Sequence, residues 1–221
     1  MRASPLRIAH RGMPRLVREN TLPSFQRAID AGADGIELDV HATADGVVVV
    51  HHDAVLKEGP AIAALTLTEL HAYDAAPGIP IPTLREVCNL VSDWVMLFVE
   101  IKGAGIEGAV LETLTGYGGE VAIHSFDHAM IERISQLEPD QRLGILFDEA
   151  PEAITDSMVA AGALDVWLHW PLVTVSLVSE VHDAGGRVIP WTVNDQARAR
   201  ALAALGVDAL CGDDVRMLET V

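Results

Sequence analysis

Short apolar runs alternate with amphipathic stretches along nearly the whole chain. Apolar runs bounded by turn residues are typical of buried strands, and apolar positions three or four apart are typical of helices. The runs lie at residues 6–10, 34–40, 95–101, 121–124, 143–147, 165–168, 188–193 and 207–211. Strand–helix alternation repeated eight times in 221 residues predicts an α/β fold, the (β/α)8 TIM barrel.

The amphipathic stretches carry recognisable helix ends. Thr21 suits an N-cap with Pro23 in the first turn, and Gly32 and Gly206 suit the C-terminal ends of two helices. The predicted helices lie at about 21–32, 66–73, 83–91, 105–116, 127–137, 151–161, 174–184 and 195–205.

A ninth apolar run, residues 47–51, follows the second predicted strand too closely for a parallel crossover, which needs about a dozen residues. Asp45-Gly46 is a strong signal for a two-residue hairpin loop. We therefore expect a β-hairpin in which Asp39 faces His52, followed by a small insertion at about 54–80. Residues 1–221 are expected to form one domain. A doubly wound open sheet is the alternative, but no Gly-x-Gly-x-x-Gly follows the first strand.

Composition narrows the set of partners. The chain has 15 basic and 32 acidic side chains and a formal net charge of −17, which argues against binding to nucleic acid or anionic membranes. It has no signal peptide and no apolar run of about 18 residues, so we expect a cytoplasmic protein without stable membrane insertion. Cys88 and Cys211 lie in apolar surroundings and are expected to be buried free thiols.

Polar side chains cluster at the ends of the predicted strands, where (β/α)8 barrels form their active sites. They are His10 and Arg11, Glu37 and Asp39, Glu100 and Lys102, His124 and Ser125, and Trp191 and Asn194. Charged groups inside apolar strands are costly to bury unless they are paired or metal-bound. Glu37, Asp39 and Glu100 at one mouth therefore predict a cation between them. The alternative is a salt-bridge network of these carboxylates with Arg11 and Lys102.

The donor set indicates which ion and which substrate group would fit. Three carboxylates without a cysteine ligand favour a hard divalent ion, Mg²⁺ or Ca²⁺ with Mn²⁺ also compatible, over Zn²⁺. Arg11 and Lys102 suit phosphate oxygens, Arg11 as a bidentate fork and Lys102 as a point charge. Either cation could instead neutralise the carboxylates.

Histidines flank the same mouth. His10 and His52 are the candidate general acid and base, because phosphodiester cleavage needs one of each on opposite faces. His51 is expected to point away from the site, whereas His124 could reach it. Trp191 is either an apolar wall for a small substrate or part of the barrel packing.

Ten matching segments, in order from residue 8 to residue 194, resemble the glycerophosphodiester phosphodiesterase family. They include His10–Gly12, Glu19–Thr21 with Ser24–Phe25, Gly32–Val40, Thr43–Gly46, His52–Asp53, Leu65–Leu70, Ile81–Leu84, Glu100–Lys102, Ser125–Phe126 and Trp191–Asn194. Each segment alone is weak evidence, but their common order is highly specific.

The resemblance implies metal-dependent hydrolysis of glycerophosphodiesters to sn-glycerol 3-phosphate and an alcohol, on a barrel of the phosphatidylinositol phospholipase C type. It implies one divalent ion on Glu37, Asp39 and Glu100, and His10 and His52 as the acid/base pair. It also implies phosphate contacts from Arg11 and Lys102, and a small-molecule phosphodiester as the partner. Segment 54–80 corresponds to the family's insertion beside the active site.

Two departures from the family pattern leave the substrate open. Residues 54–58 replace a Pro-x-Leu stretch with following Arg-Thr-Thr, and Cys211–Asp214 replaces an Ile-Thr-Asp-like stretch before a proline. The alternative activity is that of a lysophospholipase D or sphingomyelinase D on the same barrel. A non-catalytic barrel that binds a phosphate-containing ligand is a third hypothesis.

Overall fold

The computed structural model describes residues 4–57, 59–150 and 153–220, so Glu58 and the start of the predicted helix 151–161 lie outside it. The strands are β1 (Leu6–His10), β2 (Gly35–Ala42), β3 (Val48–Val50), β4 (Asp74–Ala76), β5 (Ile79–Pro80), β6 (Met96–Ile101), β7 (Val121–Ser125), β8 (Arg142–Phe147), β9 (Asp165–His169), β10 (Arg187–Trp191) and β11 (Ala209–Gly212). The α-helices are α1 (Leu22–Asp30), α2 (Leu67–Leu70), α3 (Leu84–Val91), α4 (Glu107–Leu114), α5 (His128–Leu137), α6 (Ile154–Ala160), α7 (Val175–Asp183) and α8 (Gln196–Leu205).

Eight of the strands run parallel in one sheet that curls into a barrel. Their order is β10-β9-β8-β7-β6-β2-β1-β11, with α-helices between them in sequence. The two edges of the sheet approach each other through backbone bonds from Asp208 N to Val188 O (3.0 Å) and from Val193 N to Cys211 O (2.8 Å). The barrel is therefore nearly closed, which confirms the (β/α)8 prediction. That residues 1–221 form a single domain stays a prediction.

The strands are apolar on both faces because both faces are covered. Along β6, Leu97 and Val99 pack outward against the helices, whereas Met96 and Phe98 belong to a second cluster that fills the barrel interior. Side chains alternate along a strand, so Glu100 follows Met96 and Phe98 to the inside. The apolar pattern of one strand thus places a carboxylate within the barrel.

The hairpin after β2 forms, but its predicted register was wrong by one residue. Val40 pairs with Val50 and Ala42 with Val48, so the residue opposite Asp39 is His51. The backbone N–H of His51 accordingly donates to the carbonyl of Asp39 (3.0 Å).

The cause of this shift is a three-residue loop, in place of the predicted two-residue loop. Thr43 N donates to Val47 O (3.0 Å), Gly46 N donates to Thr43 O (2.9 Å), and Gly46 has φ 81. A glycine in the left-handed region at the third loop position is the usual solution for such hairpins. The strand stops at Val50, so His52 lies beyond the alternation that would otherwise turn it away from the barrel.

The insertion has its own small core, in which Val49 of β3 packs with Leu56, Ile62, Leu70 and Ile81. Its helix, α2, has four residues and is shorter than predicted. The antiparallel pair of β4 and β5 was missed. Runs this short carry too few periodic positions to be identified from sequence.

Two further predictions concern the thiols and membrane spans. Cys88 and Cys211 are both free and buried, as expected. Burial raises the pKa of the Cys88 thiol to about 11, which keeps it protonated near neutral pH. Across the described part of the chain, no helix has the length and apolar character that crossing a membrane requires.

The opposite end of the barrel is held by a buried ion cluster. Asp165 is fully buried at the start of β9 and accepts hydrogen bonds from Arg142 Nε (2.9 Å) and Arg187 Nη2 (2.6 Å). Removing one partner of a buried ion pair leaves the other charges uncompensated, at a cost of about 3–5 kcal/mol. We expect Asp165→Ala to lower the free energy of unfolding by about that amount in urea denaturation. Asp140→Ala, at an exposed aspartate, is the control, and an equal effect of both substitutions would contradict the assignment.

Candidate active site

A pocket of about 240 Å³ opens at the carboxyl end of the barrel strands. It is lined by His10, Arg11, Glu37, His52, Glu100, Lys102, His124, Phe126, Leu146, Trp167, Trp191 and Cys211. Seven of the eight predicted site residues are among these, and the eighth, Asp39, is fully buried next to Arg11 and Lys102. The strand-end rule therefore brought together residues that are far apart in sequence. Their individual roles stay predictions.

Strand register sets the neighbours within the pocket. In the parallel ladders, Asp39 of β2 pairs with Glu100 of β6, and Glu100 pairs with His124 of β7. On the other side of β2, His10 of β1 pairs with Glu37. Four adjacent strands thus present their polar residues to one half of the barrel mouth.

The three carboxylates differ in their hydrogen bonds. Glu37 Oε2 accepts the backbone N–H of Arg11 (3.0 Å), whereas its buried Oε1 has no hydrogen-bond partner among the described residues. Glu100 Oε1 accepts from Lys102 Nζ (2.7 Å). Glu37 therefore keeps one carboxylate oxygen available for a ligand.

Asp39 is the most heavily paired of the three. Its Oδ2 accepts from Asn20 Nδ2 (2.8 Å) and lies 3.0 Å from Arg11 Nε, while Oδ1 lies 3.4 Å from Lys102 Nζ. Arg11 also reaches Glu19 (3.3 Å). The salt-bridge alternative is thus realised at Asp39, whereas none of the described Lys or Arg side chains lies within 4.0 Å of the Glu37 carboxylate.

Burial and the neighbouring charges shift the pKa values of the three carboxylates in different directions. Burial, reinforced by the charges of Asp39 and Glu100, raises the pKa of Glu37 well above its usual range. Burial and the charge of Asp39 raise the pKa of Glu100 to about 7. For Asp39, burial acts in the same sense, but Arg11 and Lys102 outweigh it and lower its pKa. Glu37 and Glu100 are thus the two carboxylates whose ionised forms the neighbouring cations stabilise least.

A metal-compatible cluster forms at these two carboxylates. Carboxylate oxygens of Glu37 and Glu100 and a ring nitrogen of His124 all lie within 4.8 Å of one another. Two ligands on one ion with bonds of about 2.0–2.4 Å are separated by at most about 4.8 Å. The free Oε1 of Glu37 and this donor set therefore fit a divalent cation. Asp39, the third predicted ligand, lies outside the cluster in its pairing with Arg11, Lys102 and Asn20.

Each of the two predicted catalytic histidines has a carboxylate on the same ring nitrogen. His10 Nδ1 lies 2.7 Å from Asp213 Oδ1, and His52 Nδ1 lies 2.7 Å from Asp53 Oδ1. An ionised carboxylate only accepts, so Nδ1 carries the proton in both rings and Nε2 remains for chemistry. Burial would raise the pKa of Asp213, but the hydrogen bond from His10 outweighs it and lowers the pKa.

The backbone around these histidines is fixed by further polar contacts. Asn194 forms two hydrogen bonds with Asp213. Asn194 Nδ2 donates to Asp213 Oδ2 (2.7 Å), and the backbone N–H of Asp213 donates to Asn194 Oδ1 (3.0 Å). His41 Nε2 donates to the carbonyl of His52 (3.1 Å), which positions His52 just beyond the hairpin.

Aromatic side chains form the opposite wall. Trp191 lies edge-on to Phe126, with ring centroids 5.8 Å apart, and 5.6 Å from His169. Its indole nitrogen is buried and has no hydrogen-bond partner among the residues that the structure describes. Trp191 can therefore offer an apolar face and one N–H donor to a small polar molecule.

Sequence reasoning assigned no role to several residues that shape this pocket. Asp213 and Asn194 lie at strand ends, which was the available signal, but only the closure of the barrel shows that Asp213 meets His10. Asn20 was visible only as part of a motif. His124, expected as a possible neighbour, lies in the pocket and stacks on Trp167 with ring centroids 4.2 Å apart.

Nearly the whole chain is similar to proteins of one family. A model of the glycerophosphoryl diester phosphodiesterase family matches residues 10–217. A glycerophosphodiester phosphodiesterase of Caldanaerobacter subterraneus subsp. tengcongensis is 33% identical, covering 96% of this chain and 95% of the relative. Another, of Bacillus altitudinis, is 32% identical, covering 93% of both.

Solved structures of phosphodiesterases have a similar fold over nearly the whole chain. A phosphodiesterase of Oleispira antarctica in complex with the product sn-glycerol-3-phosphate has a TM-score of 0.91 and 28% identity, covering 97% of this chain and 95% of that one. A glycerophosphodiester phosphodiesterase of Thermotoga maritima has a TM-score of 0.85 and 29% identity, covering 97% of each chain.

Proposed function

The chain belongs to the glycerophosphoryl diester phosphodiesterase family, a family of phosphoric diester hydrolases, and from this we propose that it hydrolyses glycerophosphodiesters to sn-glycerol 3-phosphate and an alcohol with one divalent ion. The observation that carries the proposal is the pair of histidines, each with an aspartate on Nδ1, in the same pocket as Glu37 and Glu100.

The two histidines provide the proton transfers. The Nε2 of one accepts a proton from the nucleophile, water or the glycerol 2-hydroxyl, as its oxygen forms a bond to phosphorus. The Nε2–H of the other protonates the leaving alkoxide as the phosphorus–oxygen bond to the alcohol breaks. When the nucleophile is the 2-hydroxyl, this step gives a cyclic phosphate, and water, deprotonated by one histidine while the other protonates the 2-oxygen, then opens it to glycerol 3-phosphate. General acid–base catalysis of this kind contributes about 10²–10⁴-fold to the rate. The aspartates favour the imidazolium that forms during the reaction.

Charge balance supports a phosphodiester substrate. Glu37, Asp39 and Glu100 with Arg11 and Lys102 give a formal charge of about −1 when all are ionised, which would repel a phosphodiester monoanion. A divalent ion held by Glu37 and Glu100, with Asp39 still paired to Arg11 and Lys102, would turn this into about +1. When bound, it supplies Lewis-acid stabilisation of the charge that develops on the phosphoryl oxygens.

Three further side chains would bind and orient the substrate. Arg11 and Lys102 line the pocket and would donate to phosphate oxygens. Trp191 provides the wall against which the glycerol or alcohol part packs, with its indole N–H available to a hydroxyl. The cytoplasmic location remains an expectation from the sequence.

Phosphorus NMR of the products tests the proposed function. We expect glycerophosphocholine, glycerophosphoethanolamine or glycerophosphoglycerol to yield glycerol 3-phosphate with Mg²⁺, Ca²⁺ or Mn²⁺. A lysophospholipid converted to a cyclic phosphate, with the glycerophosphodiesters untouched, would instead indicate the sphingomyelinase D-type activity. Binding without turnover of any of these substrates would indicate a non-catalytic barrel.

Asp213 is expected to act as a positioning residue for His10. Asp213→Asn keeps the shape of the side chain but can donate to Nδ1, which favours the wrong tautomer. We expect kcat to fall about 10²-fold with KM little changed, since substrate contacts remain. Nitrogen NMR of His10 should show the proton on Nδ1 in the wild type and a redistribution in Asp213→Asn. A variant with more than half of the wild-type kcat would contradict this role.

A further inference from the structure

His124 is an unusual residue for the floor of this pocket. It is 1% exposed, and neither ring nitrogen has a hydrogen-bond partner among the described residues. A buried polar group left unpaired costs about 1–3 kcal/mol, so such groups in folded proteins normally meet a protein atom, a water molecule or a ligand. Within residues 4–57, 59–150 and 153–220, no protein atom fills this role for His124.

The ring is nevertheless held in a defined orientation. It lies parallel to Trp167, with an interplanar angle of 7° and ring centroids 4.2 Å apart. Trp167 is in turn packed edge-on against Phe98 (5.4 Å) and lies close to Gly144, where an added Cβ would make a tight 3.0 Å contact with the indole nitrogen. Side chains locked by packing are typical of functional constellations.

The ring nitrogens of His124 make no hydrogen bond with the nearby carboxylates of Glu37 and Glu100. One of these nitrogens lies within 4.8 Å of oxygens of both carboxylates. Separations within this limit, without a hydrogen bond between the groups, suit donor atoms that surround a shared ion. The same ion would meet the free Oε1 of Glu37.

We propose that His124 is a nitrogen ligand of the divalent ion and that the site of this chain therefore favours Mn²⁺, Co²⁺ or Zn²⁺ over Mg²⁺ and Ca²⁺. This inference rests on the proposed function for the presence of the ion. Imidazole nitrogen suits first-row transition ions, whereas Mg²⁺ and Ca²⁺ are bound by oxygen. The preference for hard ions expected from three carboxylates changes once a nitrogen joins the donor set.

Pulsed electron paramagnetic resonance of the Mn²⁺-loaded protein detects a directly coordinated ¹⁴N nucleus. We expect ¹⁴N modulation in the wild type and its loss in His124→Phe, which keeps an aromatic ring on Trp167 without a nitrogen. Circular dichroism and the melting temperature check folding, and His124→Gln provides the same comparison if the phenylalanine variant is unfolded. A wild-type spectrum without ¹⁴N modulation, or modulation that persists in the variant, would overturn the inference.

Binding titrations with Co²⁺ and Mg²⁺ measure the metal selectivity of the site. We expect His124→Phe to bind Co²⁺ at least about tenfold more weakly and Mg²⁺ within about threefold of the wild type. Equal losses for both ions would mean that His124 acts on the site only through packing, and would overturn the proposal. Oxygen-only ligation in an active enzyme refutes this inference alone, whereas nitrogen ligation without turnover of glycerophosphocholine refutes the proposed function alone.

Discussion

Glu37→Gln lowers kcat for glycerophosphocholine by about 10³-fold or more, as we expect from the loss of several kcal/mol of transition-state stabilisation by the ion. Glu37 keeps a buried oxygen, Oε1, without a hydrogen bond, and among the described residues its one side-chain ion contact is with His10 at 4.0 Å. Glutamine has the same shape and retains one oxygen for the backbone N–H of Arg11. The substitution therefore removes charge and metal affinity with little change in packing.

Steady-state kinetics together with metal analysis of the purified protein measure this effect. Glu112→Gln, in the exposed face of α4, removes the same charge away from the pocket and is expected to leave both activity and metal content unchanged. A Glu37→Gln protein with more than a tenth of wild-type kcat and a full complement of metal would show that Glu37 is not a ligand.

His52→Ala is expected to lower kcat by about 10²–10⁴-fold, because one of the two proton transfers then lacks its side chain. His52 is in the pocket and is oriented by Asp53 through Nδ1 (2.7 Å). Its side chain is 35% exposed, so truncation should have little effect on stability.

The neighbouring histidine provides the matched control. His51 has the same chemistry one residue earlier, but its ring nitrogen pairs with the carbonyl of Asp53 (2.9 Å) and it is not among the residues lining the pocket. We expect His51→Ala to retain activity within about twofold of the wild type. Equal losses in the two variants would indicate a general disturbance of the hairpin end and would remove the case for His52.

The barrel was predictable because its strands are short apolar runs that alternate regularly with amphipathic helical stretches. Such periodicity reflects burial on both faces, which sequence alone reveals. The same alternation points Glu37, Asp39 and Glu100 inward, and the strand-end rule gathers His10, Lys102 and Trp191 at one mouth. These predictions depend only on local pattern and on the symmetry of the fold.

Features that depend on tertiary contacts were harder to predict from the sequence. The hairpin register was wrong because a two-residue and a three-residue loop can both end in Gly46, and only the bonds of Thr43 decide between them. Asp213 lies 203 residues from His10, so their pairing requires β11 to lie beside β1. The position of His124 beside Glu37 depends on strand register and barrel curvature, which no single segment encodes.

Removal of the metal tests the central claim, that an ion and two histidines form one hydrolytic site, most directly. Protein stripped with EDTA, with metal content verified by elemental analysis, is assayed for release of glycerol 3-phosphate from glycerophosphocholine before and after addition of a single divalent ion. We expect stripped protein to be inactive, and full activity to return at one equivalent of ion per chain. Stripped, folded protein that turns over at the wild-type rate would contradict the account.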